Sequence, residues 1–488
     1  MLADRLLTGI AECGALGAVE ITGLSLDSRA LAAGMAFVAL RGTRQHGIAY
    51  ADAARRAGAA LILAEAPPPL DLPAANDTVW IDRLGARLGE IAARFHGDPS
   101  RALVVVGITG TNGKTSSVQL LTQALELLGA RAASIGTLGA GLHGHLQPAA
   151  RTTPDAIAVQ GLLAEFRAAG ASHVAMEVSS HALDQCRVGG VHFRVAAFTN
   201  LSRDHLDYHG SMQAYGAAKA RLFDWPQLGC AVINRDDAFG AQLCGRLHAG
   251  VRLLDFSASG DPQAALRASA LASDADGLSF TLHAGLRSTA LRSPLLGRFN
   301  VANLLTVAGC LLGLGFDFDA VAGVLPQLQP IRGRMNRLGG STRPLVVVDY
   351  AHTPDALEQA LTALRAHCRG RLLCVFGCGG ERDAGKRPLM GAIAARLADL
   401  SILTDDNPRG EDAAAIIAAI RGGMPADAPA HIERDRARAI AQALCLAQAG
   451  DVVLIAGKGH ETYQESAGQV RAFDDRAEAS AALERWPC

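Results

Sequence analysis

The sequence lacks an excess of charge of either sign. Its 46 lysine and arginine residues are balanced by 47 aspartate and glutamate residues, so the formal net charge at pH 7 is -1. Proteins that hold nucleic acid or an anionic membrane surface through charge need a broad basic field, and this composition does not supply one. We therefore expect no nucleic-acid partner, and we expect any charged ligand to be a small molecule bound at a local site.

Cysteine pairs with metal-binding or redox spacing are also missing. The ten cysteines are scattered, and the close pair Cys374 and Cys378 has neither a CxxC spacing nor a second pair to complete a zinc site. We therefore expect unpaired thiols, as in a reducing cytoplasm.

The sequence shows no targeting or membrane-spanning segment. The N-terminal stretch MLADRLLTGIAECGAL carries Asp4 and has no apolar core long enough for a signal peptide. The uncharged stretch at 299–316, FNVANLLTVAGCLLGLGF, contains asparagines and glycines that suit a buried helix better than lipid. A cytoplasmic chain without membrane insertion is expected.

What the sequence does contain is a repeated alternation of short β-branched runs with Ala/Leu-rich helical runs, the pattern of βαβ units and parallel sheets. The length of 488 residues is about three times the usual prior for one domain. Stretches rich in glycine and proline near 95–100 and 326–344 predict linkers. We therefore expect three α/β domains, at 1–98, 99–335 and 336–488.

A candidate phosphate-binding loop lies at the start of the second domain. The strand ALVVVGI is followed by TGTNG, then Lys114, Thr115 and a helical stretch, which is the strand-loop-helix context of a P-loop. Glycines let backbone N–H groups converge on phosphate oxygens, a lysine supplies a cation, and a threonine hydroxyl can bind Mg²⁺. The motif predicts a nucleoside triphosphate site but leaves the class of P-loop protein open.

TGTNGKT resembles the ATP-binding loop of the Mur ligase family, and further blocks resemble that family in the same order along the chain. These blocks are MEVSSHALDQCRV (176–188), TNLSRDHLDYHGSMQAYGAAKARLF (199–223), GRFNVANLL (297–305), GRMNR (333–337), VDYAHTPDAL (348–357), FGCGGERDAGKRPLM (376–390), DDNPRG (405–410) and GKGHETYQ (457–464). The resemblance implies an α/β, three-domain Mur ligase architecture with a central P-loop ATPase-like parallel sheet and a Rossmann-like C-terminal domain. It also implies an ATP-dependent amide ligase that works through an acyl phosphate and releases ADP.

The resemblance assigns catalytic roles that the residues alone would not suggest. Glu177 and His205 would otherwise pass for a structural acid and part of a polar loop, and Lys219 for a solvated helix lysine. In the family this lysine is carbamylated, which makes electrostatic sense because an ammonium would repel a metal ion. The implied catalytic residues are Lys114, Lys219, His205 and Glu177, and the implied ligands of two Mg²⁺ ions are Thr115, Glu177, His205 and Lys219 as its carbamate.

The remaining blocks imply binding residues for ATP and for a nucleotide-linked substrate, UDP-N-acetylmuramoyl-L-alanyl-D-glutamate. The first domain would hold the uridine diphosphate, and the central domain the muramoyl-dipeptide. The implied ATP contacts are Gly110, Thr111, Asn112, Gly113, Lys114, Thr115, Ser116, Asn303, Arg334 and Asp349. The implied contacts of the UDP-linked substrate are Leu26, Ser28, Thr43, Arg44, Gln45, Arg151, Thr152, Thr153, Ser179, Gln185 and Arg187.

The DNPR block indicates which amino acid is added. Family members that add meso-diaminopimelate carry this block, and its arginine is suited to the second carboxylate of that amino acid because a guanidinium binds carboxylates bidentately. The implied pocket is Arg382, Asp406, Asn407, Pro408, Arg409, Gly457 and Glu461. The expected function is thus a step of peptidoglycan precursor synthesis. Alternatives are a lysine-adding ligase, a folylpolyglutamate synthase, and a P-loop binding protein that hydrolyses ATP without ligation.

Overall fold

The computed structural model describes residues 1–42, 45–69, 76–149, 151–274, 277–340 and 342–487. The chain divides into two compact units. The first comprises Met1–Phe256 and Thr306–Asp317, and the second comprises Ser257–Leu305 and Phe318–Cys488. Both units combine helices with a sheet that contains parallel strands, so the predicted α/β class is confirmed.

The first unit begins with a small parallel sheet in the order β1-β2-β3-β4. Leu84, Leu88 and Ile91 follow the three-to-four-residue spacing of an amphipathic helix and pack into the core of this sheet. The strands are β1 (Leu24–Ser25), β2 (Ala36–Ala39), β3 (Leu61–Glu65) and β4 (Thr78–Ile81), and the helices are α1 (Ala3–Leu7), α2 (Ala51–Arg56) and α3 (Leu84–Phe95).

A larger sheet of the first unit holds the predicted phosphate loop. Its order is β12-β11-β10-β5-β9-β6-β7-β8, parallel from β12 to β6 and antiparallel from there on. Its strands are β5 (Val104–Thr109), β6 (Ala132–Gly136), β7 (Gly139–Leu142), β8 (His145–Gln147), β9 (His173–Glu177), β10 (Phe193–Phe198), β11 (Cys230–Asn234) and β12 (Arg252–Ser257). Its helices are α4 (Lys114–Leu127), α5 (Ala156–Ala168), α6 (Ser180–Asp184), α7 (Leu206–His209), α8 (Met212–Ala220) and α9 (Ala238–Cys244).

Strands β5 and β9 are direct neighbours, and Ile108 on β5 is paired with Glu177 at the end of β9. Because parallel strands end at the same edge of a sheet, this pairing brings Glu177 beside the loop that follows β5.

The second unit contains three antiparallel strands in the order β13-β14-β15, a sheet in the order β16-β17-β21-β18-β19-β20, and a β22-β23 hairpin. Its strands are β13 (Leu266–Asp274), β14 (Gly277–Ala284), β15 (Arg287–Ser293), β16 (Asn336–Gly339), β17 (Leu345–Asp349), β18 (Leu372–Phe376), β19 (Leu400–Leu403), β20 (Ala430–Ile432), β21 (Val452–Ala456), β22 (Tyr463–Ser466) and β23 (Gln469–Ala472). Its helices are α11 (Phe318–Val324), α12 (Pro354–Arg365), α13 (Lys386–Leu397), α14 (Ala413–Arg421), α15 (Arg436–Leu446) and α16 (Asp475–Glu484).

The predicted linker at 326–344 is only partly irregular. Asn336–Gly339 forms β16, which pairs antiparallel with β17 at the edge of the sheet. An edge strand needs only one hydrogen-bonding neighbour, so it tolerates the surrounding glycines and prolines that suggested a linker.

The uncharged stretch at 299–316 forms helix α10 (Phe299–Leu314), with Val301, Leu304, Val307 and Leu311 fully buried in protein, so the prediction of a buried helix is confirmed. Across the described ranges, no helix is both long enough and apolar enough to cross a bilayer.

The predicted unpaired thiols hold for eight cysteines, which are free. The prediction is wrong for Cys445, which is disulfide-bonded.

Candidate active site

The phosphate loop has the backbone that its glycines permit. Gly110 has φ +149°, and a Cβ there would lie 1.9 Å from Thr199 Oγ1; Gly113 has φ +83° at the start of α4. Only glycine fits both positions without strain. Lys114 Nζ donates to the carbonyls of Gly110 and Thr111 at 2.9 and 2.8 Å. The loop therefore places a lysine and a helix N-terminus where a phosphate would bind.

Glu177 is buried and oriented by hydroxyl and amide donors. Thr115 Oγ1 donates to Glu177 Oε2 at 3.0 Å, and the Thr137 amide donates to Oε1 at 2.7 Å. A Cβ on Gly136 would lie 2.3 Å from Glu177 Oε1, so the close approach of the carboxylate requires glycine. The structure thus brings together the P-loop hydroxyl and the strand-end carboxylate, which are oxygen ligands of the kind that Mg²⁺ prefers.

Lys219 lies in the interior, with only 1% of its surface exposed. Its Nζ donates to the Gly110 carbonyl at 2.7 Å and lies 4.3 Å from the centroid of the Tyr215 ring. Burial, helped by the nearby cation of Lys114 and opposed by Asp204, holds the pKa of Lys219 well below its ordinary value. Reading this residue as a solvated helix lysine is therefore wrong. A neutral amine is the nucleophilic form that carbamylation requires.

His205 stands at the N-terminus of α7 in a left-handed conformation, with φ 52°. Its Nε2 lies 3.4 Å from Asp204 Oδ2, and its ring packs against His181 and Tyr215 at centroid distances of 4.8 and 6.1 Å. Burial lowers the pKa of His205; Asp204 opposes this shift, whereas the Lys114 cation reinforces it.

The predicted metal ligands are not assembled as a conventional cluster. Within the described part of the chain, no group of three or more His, Cys, Asp or Glu side chains could hold a metal ion. The predicted set instead includes a threonine hydroxyl and a modified lysine, whose carbamate would add an oxygen anion beside the P-loop.

Residues predicted to bind the muramoyl-dipeptide form a connected network next to Glu177. Thr153 Oγ1 donates to the Glu177 carbonyl at 2.8 Å and accepts from the Ser179 amide at 3.2 Å. Arg187 donates to the Thr153 carbonyl and to Gln185 Oε1, each at 3.0 Å.

Thr152 and Arg151 extend this network. The Thr152 hydroxyl lies 3.1 Å from the Thr137 hydroxyl. Arg151 is exposed. The pKa of Arg187 is lowered, first by the burial of its own guanidinium and then by the charge of Arg151.

Residues predicted to hold the uridine diphosphate make local contacts in the first unit. Leu26 packs against the core of the first sheet, Ser28 begins a short 3₁₀ turn capped by Asp27, and Gln45 donates to the Tyr50 hydroxyl. Thr43 and Arg44 lie outside the described residues.

The residues predicted for the amino-acid pocket lie where the loop after β19 meets the segment after β21. Asn407 Nδ2 donates to Glu461 Oε2 at 2.9 Å. A Cβ on Gly457 would lie 2.4 Å from Asp406 Oδ2, and one on Gly380 would lie 1.9 Å from the Pro408 carbonyl. Gly457 thus brings the segment after β21 close to the Asp406 side chain, and Gly380, which follows β18, brings a third segment close to the Pro408 backbone.

Arg409 points its guanidinium into the same region. Its Nη1 donates to the Gly380 carbonyl at 2.8 Å, and its Nε lies 3.5 Å from Glu465 Oε2. A Cβ on Gly379 would lie 3.0 Å from Arg409 Nη1 and 3.8 Å from Arg382 Cγ, so both predicted arginines border this glycine. The structure brings the predicted pocket residues together.

Sequence reasoning missed Lys458 and Glu465 at this pocket. Lys458 Nζ donates to Asn407 Oδ1 at 2.9 Å and to Glu461 Oε2 at 3.1 Å. The signal was present, because Lys458 stands inside the GKGHETYQ block between two residues that were singled out.

Two of the predicted ATP contacts of the second unit are neighbours. Asp349 Oδ2 accepts from the Met335 amide at 2.7 Å, and burial raises the pKa of this carboxyl against the pull of the Arg334 charge. Arg334 lies over the Tyr350 ring at 4.7 Å. The third predicted contact, Asn303, donates to Asn300 Oδ1 in helix α10.

His460 gives this region a testable pH dependence. Burial, then the charges of Arg334, Arg332 and His352, lower the pKa of His460 to about 4. Below about pH 6.5 His460 becomes protonated in the unfolded chain, whereas in the folded protein it stays neutral until the pH approaches 4. The stability from this site is present above that pH and is lost as the pH falls towards 4.

We expect His460→Gln to reduce the loss of stability between pH 7 and pH 4.5 by on the order of 1–3 kcal/mol. The measurement is thermal unfolding of wild type and variant at both pH values. The exposed His431 provides the control, because His431→Gln should leave the acid destabilisation unchanged. An equal pH response of His460→Gln and wild type would contradict this account.

Three family profiles match the chain: "Mur ligase family, catalytic domain" at residues 20–96, "Mur ligase middle domain" at 108–311, and "Mur ligase, glutamate ligase domain" at 333–459. Two similar curated relatives bear the name UDP-N-acetylmuramoyl-L-alanyl-D-glutamate–2,6-diaminopimelate ligase. The relative from Xanthomonas campestris pv. campestris is 56% identical and the alignment covers 95% of this chain and 94% of the relative. The relative from Ectopseudomonas mendocina is 54% identical, with 98% and 97% covered.

A solved structure of a ligase with the same name is 37% identical to this chain, covers 99% of both chains and superposes with a TM-score of 0.76. The three-domain Mur ligase architecture predicted from the motifs is thereby confirmed. With matches at this identity over nearly its full length, the chain belongs to the Mur ligase family.

Proposed function

We propose that this protein is an ATP-dependent ligase that joins meso-2,6-diaminopimelate to the D-glutamate of UDP-N-acetylmuramoyl-L-alanyl-D-glutamate, a step of peptidoglycan precursor synthesis. The name shared by its close relatives supports the reaction. The observation that supports the choice of amino acid is that Asn407 donates to Glu461, while Arg409 donates to the carbonyl of Gly380, whose amide donates to the Asn407 carbonyl. The cytoplasmic location expected from the sequence stays a prediction.

We propose that residues 110–116 hold the phosphates of ATP, and that Asn303, Arg334 and Asp349 also contact the nucleotide. The short contacts of Lys114 with two loop carbonyls support this role, because a phosphate would offer the same ammonium a stronger acceptor. We likewise propose domain boundaries at 1–98, 99–335 and 336–488.

Thr115, Glu177, His205 and the carbamate of Lys219 would hold two Mg²⁺ ions, which supply neutralisation of the phosphate charge when bound. The oxygen donors already paired at Thr115 and Glu177 fit this ion. Lys219 fits only after modification, because the unmodified amine offers the ions no anionic oxygen and its protonated form would add a second cation beside Lys114.

The chemistry proposed for the pocket is amide formation by an acyl phosphate. A D-glutamate carboxylate would attack the γ-phosphorus and ADP would leave. The neutral amine of the incoming amino acid would then attack the acyl carbon, inorganic phosphate would leave, and the amine would lose a proton to solvent to give the amide. The network of Thr152, Thr153, Ser179, Gln185 and Arg187 borders Glu177 and would orient the substrate carboxylate, with Arg151 beside it. Leu26, Ser28 and the turn at 43–45 would hold the uridine diphosphate.

In the amino-acid pocket, Arg409 would bind the distal carboxylate and Glu461 the distal ammonium of diaminopimelate. Arg409 now donates to the Gly380 carbonyl and lies beside Glu465, so it is already oriented by acceptors. Arg382, Asp406, Pro408 and Gly457 complete the wall of the pocket.

A phosphate-release assay separates this proposal from a P-loop protein that hydrolyses ATP without ligation. We expect release only when ATP, UDP-N-acetylmuramoyl-L-alanyl-D-glutamate and an amino acid are all present. Equal release from ATP alone would contradict ligase activity. Release with a folate in place of the UDP-linked substrate would favour a folylpolyglutamate synthase.

A further inference from the structure

Lysine is rare in this chain, and two of its lysines, Lys219 and Lys458, are buried. Of the 46 basic residues, only four are lysines, at positions 114, 219, 386 and 458. Lys114 and Lys219 belong to the phosphate loop region described above. Lys458 is fully buried, with 0% of its side chain exposed. Most other basic residues of the chain are arginines, so a compact ammonium stands at this interior position beside the predicted amino-acid pocket.

The contacts of Lys458 explain why an ammonium is needed there. Its Nζ donates to Asn407 Oδ1 at 2.9 Å and to Glu461 Oε2 at 3.1 Å. An ammonium is a point donor that can serve two acceptors at one place, whereas the planar guanidinium of arginine needs more room and a fixed fork. Both of its acceptors belong to residues that would bind the incoming amino acid.

Lys458 also determines which way the Asn407 amide faces. Asn407 Oδ1 accepts from Lys458 and from the Glu465 amide, the latter at 3.0 Å, so the carbonyl side of the amide is held by two donors. The opposite side, Nδ2, is then directed to Glu461 Oε2 at 2.9 Å. An inverted amide would place NH₂ against two donors and is excluded.

The same arrangement holds Glu461 by one oxygen. Lys458 and Asn407 both donate to Oε2. Within the described chain, Oε1 accepts no hydrogen bond, and the side chain retains 19% exposure. Glu461 is thus fixed in orientation and still offers one oxygen to a ligand.

We propose that Lys458 is a positioning residue that fixes Asn407 and Glu461 so that Glu461 Oε1 binds the ammonium of the incoming amino acid. This inference rests on the proposed function for the location of the amino-acid pocket. It does not depend on which diamino acid is used, because meso-diaminopimelate and lysine both carry a side-chain ammonium.

The test is a double-mutant cycle on the full-length enzyme with Lys458→Met and Glu461→Gln, singly and combined. Rates are measured against amino-acid concentration at saturating ATP and UDP-linked substrate, and then against ATP. We expect Lys458→Met to raise the KM for meso-diaminopimelate by about tenfold to a hundredfold and to change the KM for ATP by less than about twofold. In the Glu461→Gln background, Lys458→Met should raise this KM by less than about a further twofold, because the carboxylate that Lys458 positions is already absent.

The control is Arg396→Met, which removes a cation from an exposed ion pair with Glu358 in the same unit. It should leave the KM for the amino acid unchanged. If Lys458→Met does not accumulate, Lys458→Gln in both backgrounds completes the same cycle, because it removes the cation and keeps an N–H donor; its effect should be smaller and equally selective. Isothermal titration calorimetry of amino-acid binding to the same variants compares their affinities in the absence of turnover.

A purely structural role would overturn the inference. A structural role predicts that Lys458→Met lowers the melting temperature and raises the KM values for both ATP and the amino acid. It also predicts that the effects of Lys458→Met and Glu461→Gln on the KM for the amino acid multiply in the double variant. Failure of the proposed function has a different signature. If wild type uses L-lysine in place of meso-diaminopimelate, the substrate assignment is wrong, while the cycle measured with lysine still decides the role of Lys458.

Discussion

Replacement of Lys219 by alanine is expected to reduce ligation on the order of a hundredfold or more, and added short-chain carboxylic acids such as formate or acetate are expected to restore part of it. The side chain is buried beside Lys114 and hydrogen-bonded to Gly110 of the phosphate loop. An unmodified ammonium there would repel magnesium, whereas a carbamate would supply an anion. A small carboxylate can enter the cavity that alanine leaves and supply the same charge.

The measurement is the rate of ADP release with all substrates, with and without the added acid. Lys114→Ala is the matched control. It should also lose activity, but a carboxylate should not restore it, since the phosphate loop needs a cation at that position. Full activity of Lys219→Ala without rescue would show that the carbamate assignment is wrong.

Replacement of Arg409 by alanine is expected to weaken the use of meso-diaminopimelate by roughly tenfold to several hundredfold, with little change in the KM for ATP. A charge-assisted hydrogen bond to a carboxylate contributes about 1.5–3 kcal/mol. Lysine lacks the distal carboxylate, so its use should stay as poor as before or improve only slightly. The variant removes repulsion of the lysine ammonium but creates no acidic partner for it.

The quantity to compare is the ratio of kcat/KM for meso-diaminopimelate to that for L-lysine, in wild type and variant. Arg434→Ala is a suitable control, because Arg434 is an exposed arginine paired with Asp405 at 3.1 Å, next to the loop that carries Arg409. The kcat/KM ratio of Arg434→Ala should match that of wild type. An unchanged ratio in Arg409→Ala would mean that this arginine does not bind the distal carboxylate.

Local patterns were sufficient to predict the parallel sheets and the phosphate loop. The strand that ends at Thr109, the glycines at 110 and 113 and the helix that begins at Lys114 are all encoded within a dozen consecutive residues. A run of β-branched residues predicts the strand, and the glycines followed by a lysine predict the loop and the start of the helix. The edge strand Asn336–Gly339 was missed because its pairing with β17, and not its own composition, makes it a strand.

The candidate site depends more on contacts between distant segments. Lys219 looks like a surface lysine in YGAAKARLF, and its burial arises from packing against Gly110, 109 positions away in the sequence. Lys458 meets Asn407 across 51 positions. Periodicity cannot report such contacts, so the role of Lys219 came from resemblance and that of Lys458 from the structure.

The most direct test of the account is a ligation assay in which meso-diaminopimelate, L-lysine and L-ornithine are offered separately with ATP and UDP-N-acetylmuramoyl-L-alanyl-D-glutamate. The product is identified by its mass, and its formation is compared with the release of ADP. We predict that meso-diaminopimelate alone gives efficient formation of the UDP-linked tripeptide, with one ADP released for each product. Efficient ligation of L-lysine or L-ornithine in its place, or ADP release without any tripeptide, would contradict the account.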